Sequence, residues 1–371
     1  MTKITAAANK ETKIQERHRG ELDALAADLT RSFGKDTAVR GGLQKALKSV
    51  PTGSLALDFE LGTGGWPLGY LYCVFGPRDI GKSSMIGLSA VRNAQAQGLN
   101  VAWIALEPFD ESWARKNGCE PDDMLIGYPT TGEEAFGMLL KIVESRAVDF
   151  VVFDSIGAVI SEKEMGDDGK PRVGGQAGLI TWAVKSIAPV AYKNDVGVML
   201  LNQVRDNMAS RIPGLVQQPG GHALEHHSSI IVQLKRGKDK YTVKEFGTDV
   251  QIGQAIVAHI LRNKHRTGTG HKALFDYYFG EAEGYPFGID EFQDILTVGK
   301  RTGVITVRGS MYDLPDGSTI KGWKAVVEHL EDRPDTMVMI RDGVLQAMID
   351  GNDRTVLEVV PEEEEEADAE V

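Results

Sequence analysis

The sequence predicts an α/β fold with a mostly parallel central sheet covered by helices, plus an N-terminal helix and a small C-terminal α+β domain. Three observations predict it. Short, near-continuous apolar runs, LYCVF (Leu71 to Phe75), VAWIAL (Val101 to Leu106), DFVVFD (Asp149 to Asp154) and VGVMLLNQ (Val196 to Gln203), have the length of strands buried on both faces. Segments of helical composition alternate with them, and that order builds a parallel sheet with helices on both faces. The composition changes at both ends of this alternation, which assigns a helical arm to residues 1–33, the core to 34–280, a small domain to 281–350 and an acidic, disordered tail to 351–371.

Each element has its own justification. Leu22, Leu25, Ala26, Leu29 and Phe33 recur at helical spacing, so residues from about 12 to 33 read as an amphipathic helix. The strand at Leu71 runs into GPRDIGKSS and then into SSMIGLSAVRNAQAQ (Ser83 to Gln97), a helix ended by Gly98. Further helices are expected over Gly132 to Arg146 and around Leu179 to Lys193. Two connections, Ser161 to Gly178 and Val204 to Gly221, are long, glycine-rich and polar, and each follows a core strand. Loops of that length inside a compact domain are usually functional. From Ser228 to Phe279 the pattern suggests shorter, antiparallel strands with turns. After Gly284 it suggests a small mixed domain with helices. No internal repeat is visible.

At 371 residues the chain can bury one large core with an appendage. Its 42% hydrophobic and 25% charged residues are ordinary for a globular protein. No apolar run reaches membrane-spanning length and the N-terminus has no hydrophobic signal segment, so the expected compartment is the cytoplasm. Cys73 and Cys119 are far apart, which supports neither a zinc ribbon nor a disulfide framework. The net charge of −12 argues at first against nucleic acid. Seven of those negative charges stand in PEEEEEADAEV, and removing seven from −12 leaves −5. The distribution of basic residues, not the total, must decide the partner.

The stretch GPRDIGKSS carries the first chemistry. Gly76 and Gly81 let the loop through Pro77-Arg78-Asp79-Ile80 curl so that its successive backbone N–H groups, of which Pro77 has none, turn toward phosphate oxygens. The helix that follows, opening with Ser83 and Ser84, adds its positive end, and Ser84 is counted with the loop among the nucleotide-binding residues. Lys82 would reach the β- and γ-phosphates and the Ser83 hydroxyl would hold Mg²⁺. Asp154, ending VVFDS, supplies the carboxylate that organises the Mg²⁺ shell. Glu107, just past VAWIAL, stands where an attacking water would be polarised. Gln203, ending the next strand, could sense the γ-phosphate. His222 and His226 have a metal-compatible spacing, but without a third ligand the metal reading fails.

Beyond these, PTGSLALDFELGTGGWPLGYL, EPFDESWARKNG, TGEEAF, VDFVVFDS, LLNQVR and PGGHAL follow in the order and approximate spacing of the RecA-type recombinases, which the chain resembles over about Phe33 to Phe279. The resemblance implies a RecA-like P-loop ATPase core using ATP and Mg²⁺. Glu107 falls on the water-activating glutamate, Trp113 on the aromatic that stacks on adenine, and Asp110 near the adenine edge. Gln203 falls on the glutamine that couples γ-phosphate to DNA. Arg262 and Lys264 fall on the basic pair that reaches a neighbour's ATP. It also implies that the two long connections bind DNA. Val173, Gly174 and Gly175 would act in the first, and Arg205, Met208, Arg211, Ile212, Gly220 and Gly221 in or beside the second.

The chain departs from the family at Ser83, where threonine is commoner, at Arg78-Asp79-Ile80, and at Glu225-His226 after PGGHAL. These suggest a divergent member, of a kind that phages carry. The expected function is ATP-dependent DNA strand exchange by a helical filament of identical subunits on single-stranded DNA, paired with homologous duplex. The basic run Lys235, Arg236, Lys238, Lys240 and Lys244 is explained equally by duplex guidance and by a solvated hairpin. The alternatives are a ring-shaped helicase or branch-migration motor of the same fold, and a nucleotide-gated regulatory scaffold. Retention of Glu107, Asp154 and Gln203 weighs against the scaffold.

Overall fold

The computed structural model describes residues 2–34, 38, 47–162, 175–203, 205–206, 216–217, 221–245, 247–266, 270–280, 282, 285 and 287–350. Among the described residues, nine strands form one sheet. They are β1 (Leu71–Gly76), β2 (Val101–Ala105), β3 (Met124–Gly127), β4 (Phe150–Asp154), β5 (Gly197–Gln203), β6 (Ile230–Glu245), β7 (Thr248–Asn263), β8 (Lys272–Tyr278) and β9 (Gly288–Ile289). Their order is β9-β8-β7-β6-β1-β5-β4-β2-β3. The six from β6 to β3 are mutually parallel, and β6 to β9 continue as an antiparallel meander.

The apolar runs become strands because both faces are covered. In β4, Phe150 and Val152 face α3 (Leu88–Ala96) and belong to a core that continues to α2 (Leu55–Leu61) and the helices after β9. Val151 and Phe153 pack with α5 (Gly132–Ser145) and α6 (Gly175–Asn194). Strand periodicity of two thus feeds two separate cores. Trp103 and Phe150 are among the largest fully buried side chains, each worth about 1.5–3 kcal/mol of burial. The helix after the phosphate loop approaches the sheet closely at Gly87, where a Cβ would lie 2.8 Å from the Trp103 ring. Thr131 caps α5 by accepting from the Glu134 N–H, and the Glu134 carboxylate accepts from the Thr130 N–H.

Several expectations change in the structure. The N-terminal helix, α1, spans Thr2–Phe33, ten residues more than its apolar periodicity marked. Its first turns are rich in Ala, Lys and Glu, good helix formers without an apolar stripe. Its apolar residues Leu22, Leu25 and Phe33 are more than half exposed. The strands after Ser228 are not short, since β6 and β7 have sixteen residues each. Their distal halves form an exposed polar ribbon, which carries no apolar alternation to mark it. The start of β6 also joins the parallel sheet beside β1. Helix α6 begins at Gly175 and α7 (Gly221–His227) at Gly221, so both glycines open helices instead of lying within loops.

Downstream of β9 come α8 (Glu291–Thr302), a small antiparallel sheet of Thr306–Arg308, Met311–Asp313 and Thr319–Lys321, then α9 (Trp323–Asp332) and α10 (Pro334–Ile349). Asp290 caps α8 and Gly303 ends it at φ 77°. This part is fastened to α2. The buried Glu60 carboxylate binds Arg301 of α8, Arg266 (3.5 Å) and His271 Nδ1 (3.0 Å), while Asp294 Oδ1 accepts from the Ala56 N–H at 3.0 Å.

Candidate active site

In a parallel sheet, ligands gather at the carboxyl ends of the strands. Here β1, β5, β4 and β2 are neighbours, with Gly76 level with Gln203 and Ala105 level with Asp154. One sheet edge therefore presents the phosphate loop, Gln203, Asp154 and Glu107 together.

The loop is shaped by steric fit. A Cβ on Gly76 would stand 2.8 Å from the Leu234 carbonyl oxygen of β6, so only glycine lets the two strands close up there. Asp79 (φ 59°) and Gly81 (φ 92°) adopt left-handed conformations that turn the backbone inward. Asp tolerates that region better than a branched residue. Ile80, bulky for such a loop, is fully buried and anchors it in the core, whereas Arg78 and Asp79 are exposed. The loop leads into a wide, π-type turn over Lys82–Gly87 before α3. The Lys82 ammonium, 8% exposed, donates to the carbonyls of Gly76 (3.2 Å) and Pro77 (2.6 Å). Burial holds it below its usual pKa, opposed by the charges of Asp154, Glu107 and Asp79, while Arg236 adds to the lowering.

Asp154, also 8% exposed, accepts a hydrogen bond from the Ser83 side chain. Burial pushes its carboxyl up to about 6. The charge of Glu107 adds to that rise, and the Ser83 bond and Lys82 oppose it. Glu107 is gripped at Oε1 by the Ser155 hydroxyl (2.6 Å) and by Gln203 Nε2 (3.0 Å), which fixes its orientation. The structure thus brings Lys82, Ser83, Asp154, Glu107 and Gln203 into one group. Ser155 and Tyr277 belong to it as well. Tyr277, almost fully buried, donates its hydroxyl to Ser84 Oγ at 3.2 Å. Ser155 was open to detection as the residue after Asp154 in VVFDS; Tyr277, 193 residues from Ser84, had no local signal.

Asp110 caps α4 (Glu111–Lys116), accepting from the Trp113 N–H at 3.0 Å and the Ser112 hydroxyl at 2.6 Å. Those bonds, Ser112 first, hold its carboxyl below the usual range. Trp113 is half-buried and meets Phe287 edge-on at 5.4 Å, with the Lys116 ammonium 5.5 Å from the Trp113 ring and 5.0 Å from the Phe287 ring. Arg262 and Lys264 are not brought to this group. Arg262 pairs with Ile231, which is level with Cys73, and the Lys264 N–H bonds Ser229 beside Leu71. Lys264 is level with the start of β1 and Arg262 with its middle, both short of the loop end, and the Lys264 ammonium donates to the His226 carbonyl at 2.9 Å.

Val173, Gly174, Met208, Arg211, Ile212 and Gly220 lie outside the described residues. The second connection is bridged near its start by a ladder of Arg205–Asp206 with Val216–Gln217. Gly175 and Gly221, which close the two connections, open α6 and α7, and these helices pack on each other. Among the described residues no three His, Cys, Asp or Glu side chains could together hold a metal ion, and His222 pairs with Glu225 at 3.4 Å. Mg²⁺ does not need such a cluster. It is commonly held by one or two carboxylates together with substrate phosphates. The oxygen donors Ser83 and Asp154, already in contact beside Lys82, fit that requirement.

Fold and site together define a RecA-like P-loop ATPase core, a strand-ended nucleotide site on a mostly parallel sheet. The chain belongs to the RecA family: the model of the RecA N-terminal domain matches residues 21–283. It is 30% identical to the protein RecA of Thermus aquaticus over 356 residues, covering 95% of this chain and 100% of that one. It is also 30% identical to protein RecA of Bacillus subtilis (strain 168), covering 94% of this chain and 98% of that one. Protein RecA of Lactiplantibacillus pentosus is likewise 30% identical, over 94% and 88%. Among the described residues no helix is long and apolar enough to cross a membrane.

Proposed function

We propose that the protein is a DNA-dependent ATPase that exchanges DNA strands from a helical filament on single-stranded DNA, with ATP bound at subunit interfaces. The observation that carries this reading is the Lys82–Ser83–Asp154–Glu107–Gln203 group, because the two long connections leave the sheet from β4 and β5, the strands that hold Asp154 and Gln203. A group that touches phosphate thereby sits at the root of each candidate DNA-binding segment.

The chemistry is positioning and charge. Backbone N–H groups of residues 78–83 and the Lys82 ammonium would hold the β- and γ-phosphates. When bound, Mg²⁺ would neutralise phosphate charge, held by the Ser83 hydroxyl and the Asp154 carboxylate. Glu107, its Oε1 fixed by Ser155 and Gln203, would orient water and take its proton as the bond to the γ-phosphate breaks. Gln203 shares that carboxylate, so a γ-phosphate drawing on Gln203 would reposition the start of the second connection. Trp113 would face the base. Arg262 and Lys264, level with the middle and the start of β1, stand back from their own loop, which supports a role on a neighbour's ATP. The exposed Leu22, Leu25 and Phe33 of α1 suit docking on an adjacent copy. Head-to-tail contacts of that kind do not close and give filaments.

The test is a strand-exchange assay with ATP, single-stranded DNA and homologous duplex, comparing wild type with Lys82→Ala. Joint molecules should form with wild type alone. None from wild type overturns the proposal. Filaments in electron micrographs support it over the ring-shaped motor.

A further inference from the structure

Arg236, whose charge helps to lower the Lys82 pKa, also touches the phosphate loop directly. Strand β6 passes the end of β1 at Leu234, continues through Arg236 and then shifts register before entering the exposed ribbon. From that point Nη2 of Arg236 donates to the carbonyl of Arg78 at 2.9 Å. Lys82 already holds the carbonyls of Gly76 and Pro77. Three successive carbonyls at the start of the loop are therefore bound by two cations from different parts of the chain.

The consequence follows from peptide geometry. The Arg78–Asp79 peptide is trans. In a trans peptide the C=O and N–H point in opposite directions. Fixing the Arg78 carbonyl toward Arg236 turns the Asp79 N–H away from β6, and a hydrogen bond at the carbonyl polarises that N–H as a donor. Asp79 itself lies in the curled part of the loop and is held at φ 59°. A guanidinium suits the task because it stays charged and its planar fork holds one direction. We propose that Arg236 is a positioning residue for the phosphate loop: through the Arg78 carbonyl it aims the Asp79 N–H at a phosphate of the bound nucleotide. The inference rests on the nucleotide-binding reading above. It also sets Arg236 apart from the other cations of the ribbon, Lys238, Lys240 and Lys244, which lie beyond the register shift or toward the ribbon's tip.

The experiment measures MgATP affinity without DNA, then kcat and KM with single-stranded DNA, for wild type, Arg236→Ala, Arg236→Lys and Lys82→Ala. One charge-assisted hydrogen bond to an exposed carbonyl is expected to change affinity about three- to tenfold. Arg236→Ala should raise the Kd and KM for MgATP by that factor and leave kcat at saturating ATP within about twofold. Arg236→Lys, which keeps a charged donor, should recover part of the loss. Wild-type affinity in Arg236→Ala overturns this inference alone, as does an equal loss in Arg236→Lys or a fall in kcat with KM unchanged. If wild type and Lys82→Ala both fail to bind MgATP, the nucleotide-binding reading falls and the inference with it.

Discussion

Buried carboxylates occur in two regions of this molecule, and burial alone does not tell them apart. At the strand ends, Asp154 is pushed up to about 6; in the seam between α2 and α8, Asp58 is pushed up to about 6 and Asp294 to about 7, in each case chiefly by burial. The neighbours differ. Asp154 and Glu107 face Lys82, Ser83, Ser155 and Gln203, side chains able to exchange their present partners for a phosphate, a cation or a water. In the seam, Glu60 is clamped by Arg301, Arg266 and His271, and Arg266 also binds the carbonyls of Phe59 and Glu60 at 2.8 Å. Those partners are saturated by the chain itself. A carboxylate whose cations are held elsewhere by the fold is a fastener, and one whose cations can turn to a ligand is a site.

The comparison breaks most visibly at Glu107. Glu107→Gln keeps the side chain's shape and removes the proton acceptor, so ATP hydrolysis stimulated by single-stranded DNA should fall by about 10²–10⁴. The thermal midpoint should not fall with it, since the residue is only half-buried. A parallel loss of midpoint would mean that Glu107 is a fastener too. The seam should respond the other way. Glu60→Ala leaves Arg301 and Arg266 without their carboxylate and should cost about 3–5 kcal/mol in urea denaturation. MgATP affinity of the folded fraction should match wild type. A loss under about 1 kcal/mol would place Glu60 among weak surface pairs and dissolve the contrast.

How much of this was legible in sequence follows the same division. Lys82, Ser83, Glu107, Asp154 and Gln203 each end a strand or start a helix, so local pattern marked them before any contact was known. The parallel core was legible because strands buried on both faces read as unbroken apolar runs. The fasteners were not, since Glu60 meets Arg301 across 241 positions and Arg236 meets Arg78 across 158. No spacing rule reaches that far. The ribbon of β6 and β7 escaped for a different reason: exposed strands carry Lys, Asp and Thr on both faces, which reads as a turn-rich stretch. Gly175 and Gly221 looked like loop residues because glycine seldom opens a helix without a side-chain cap to announce it.

The smallest expected effect probes the seam through pH. Folded-state values of about 6 for Asp58 and about 7 for Asp294 lie above the ordinary carboxylate value of about 3.9. Above pH 8 both groups are ionised in folded and unfolded chains alike, and the cost of burying their charge is present in full. Between pH 8 and about 5 the folded chain takes up protons that the unfolded chain does not, so this seam makes the protein more stable as pH falls. The gain levels off near pH 4, where both states are protonated. Asp294 shares the seam with Ser54, the Ala56 N–H and Asp58, and Arg341 of α10 opposes the rise at Asp58. His227, His259 and His265, held below their usual values chiefly by burial, work in the opposite direction over the same range. The wild-type slope alone is therefore ambiguous, and the difference between wild type and Asp294→Asn is the informative quantity. Asparagine cannot take up the proton, so the variant should lose about 1–1.5 kcal/mol of the stabilisation that wild type gains from pH 8 to pH 6. Hydrolysis by the variant at either pH should follow wild type, because the groups that set the Asp294 titration are Ser54, Asp58 and the backbone of α2, none of them in the site. Identical pH profiles for the two proteins would mean that Asp294 takes up no proton on folding over this range, and its burial would then carry no pH-dependent cost.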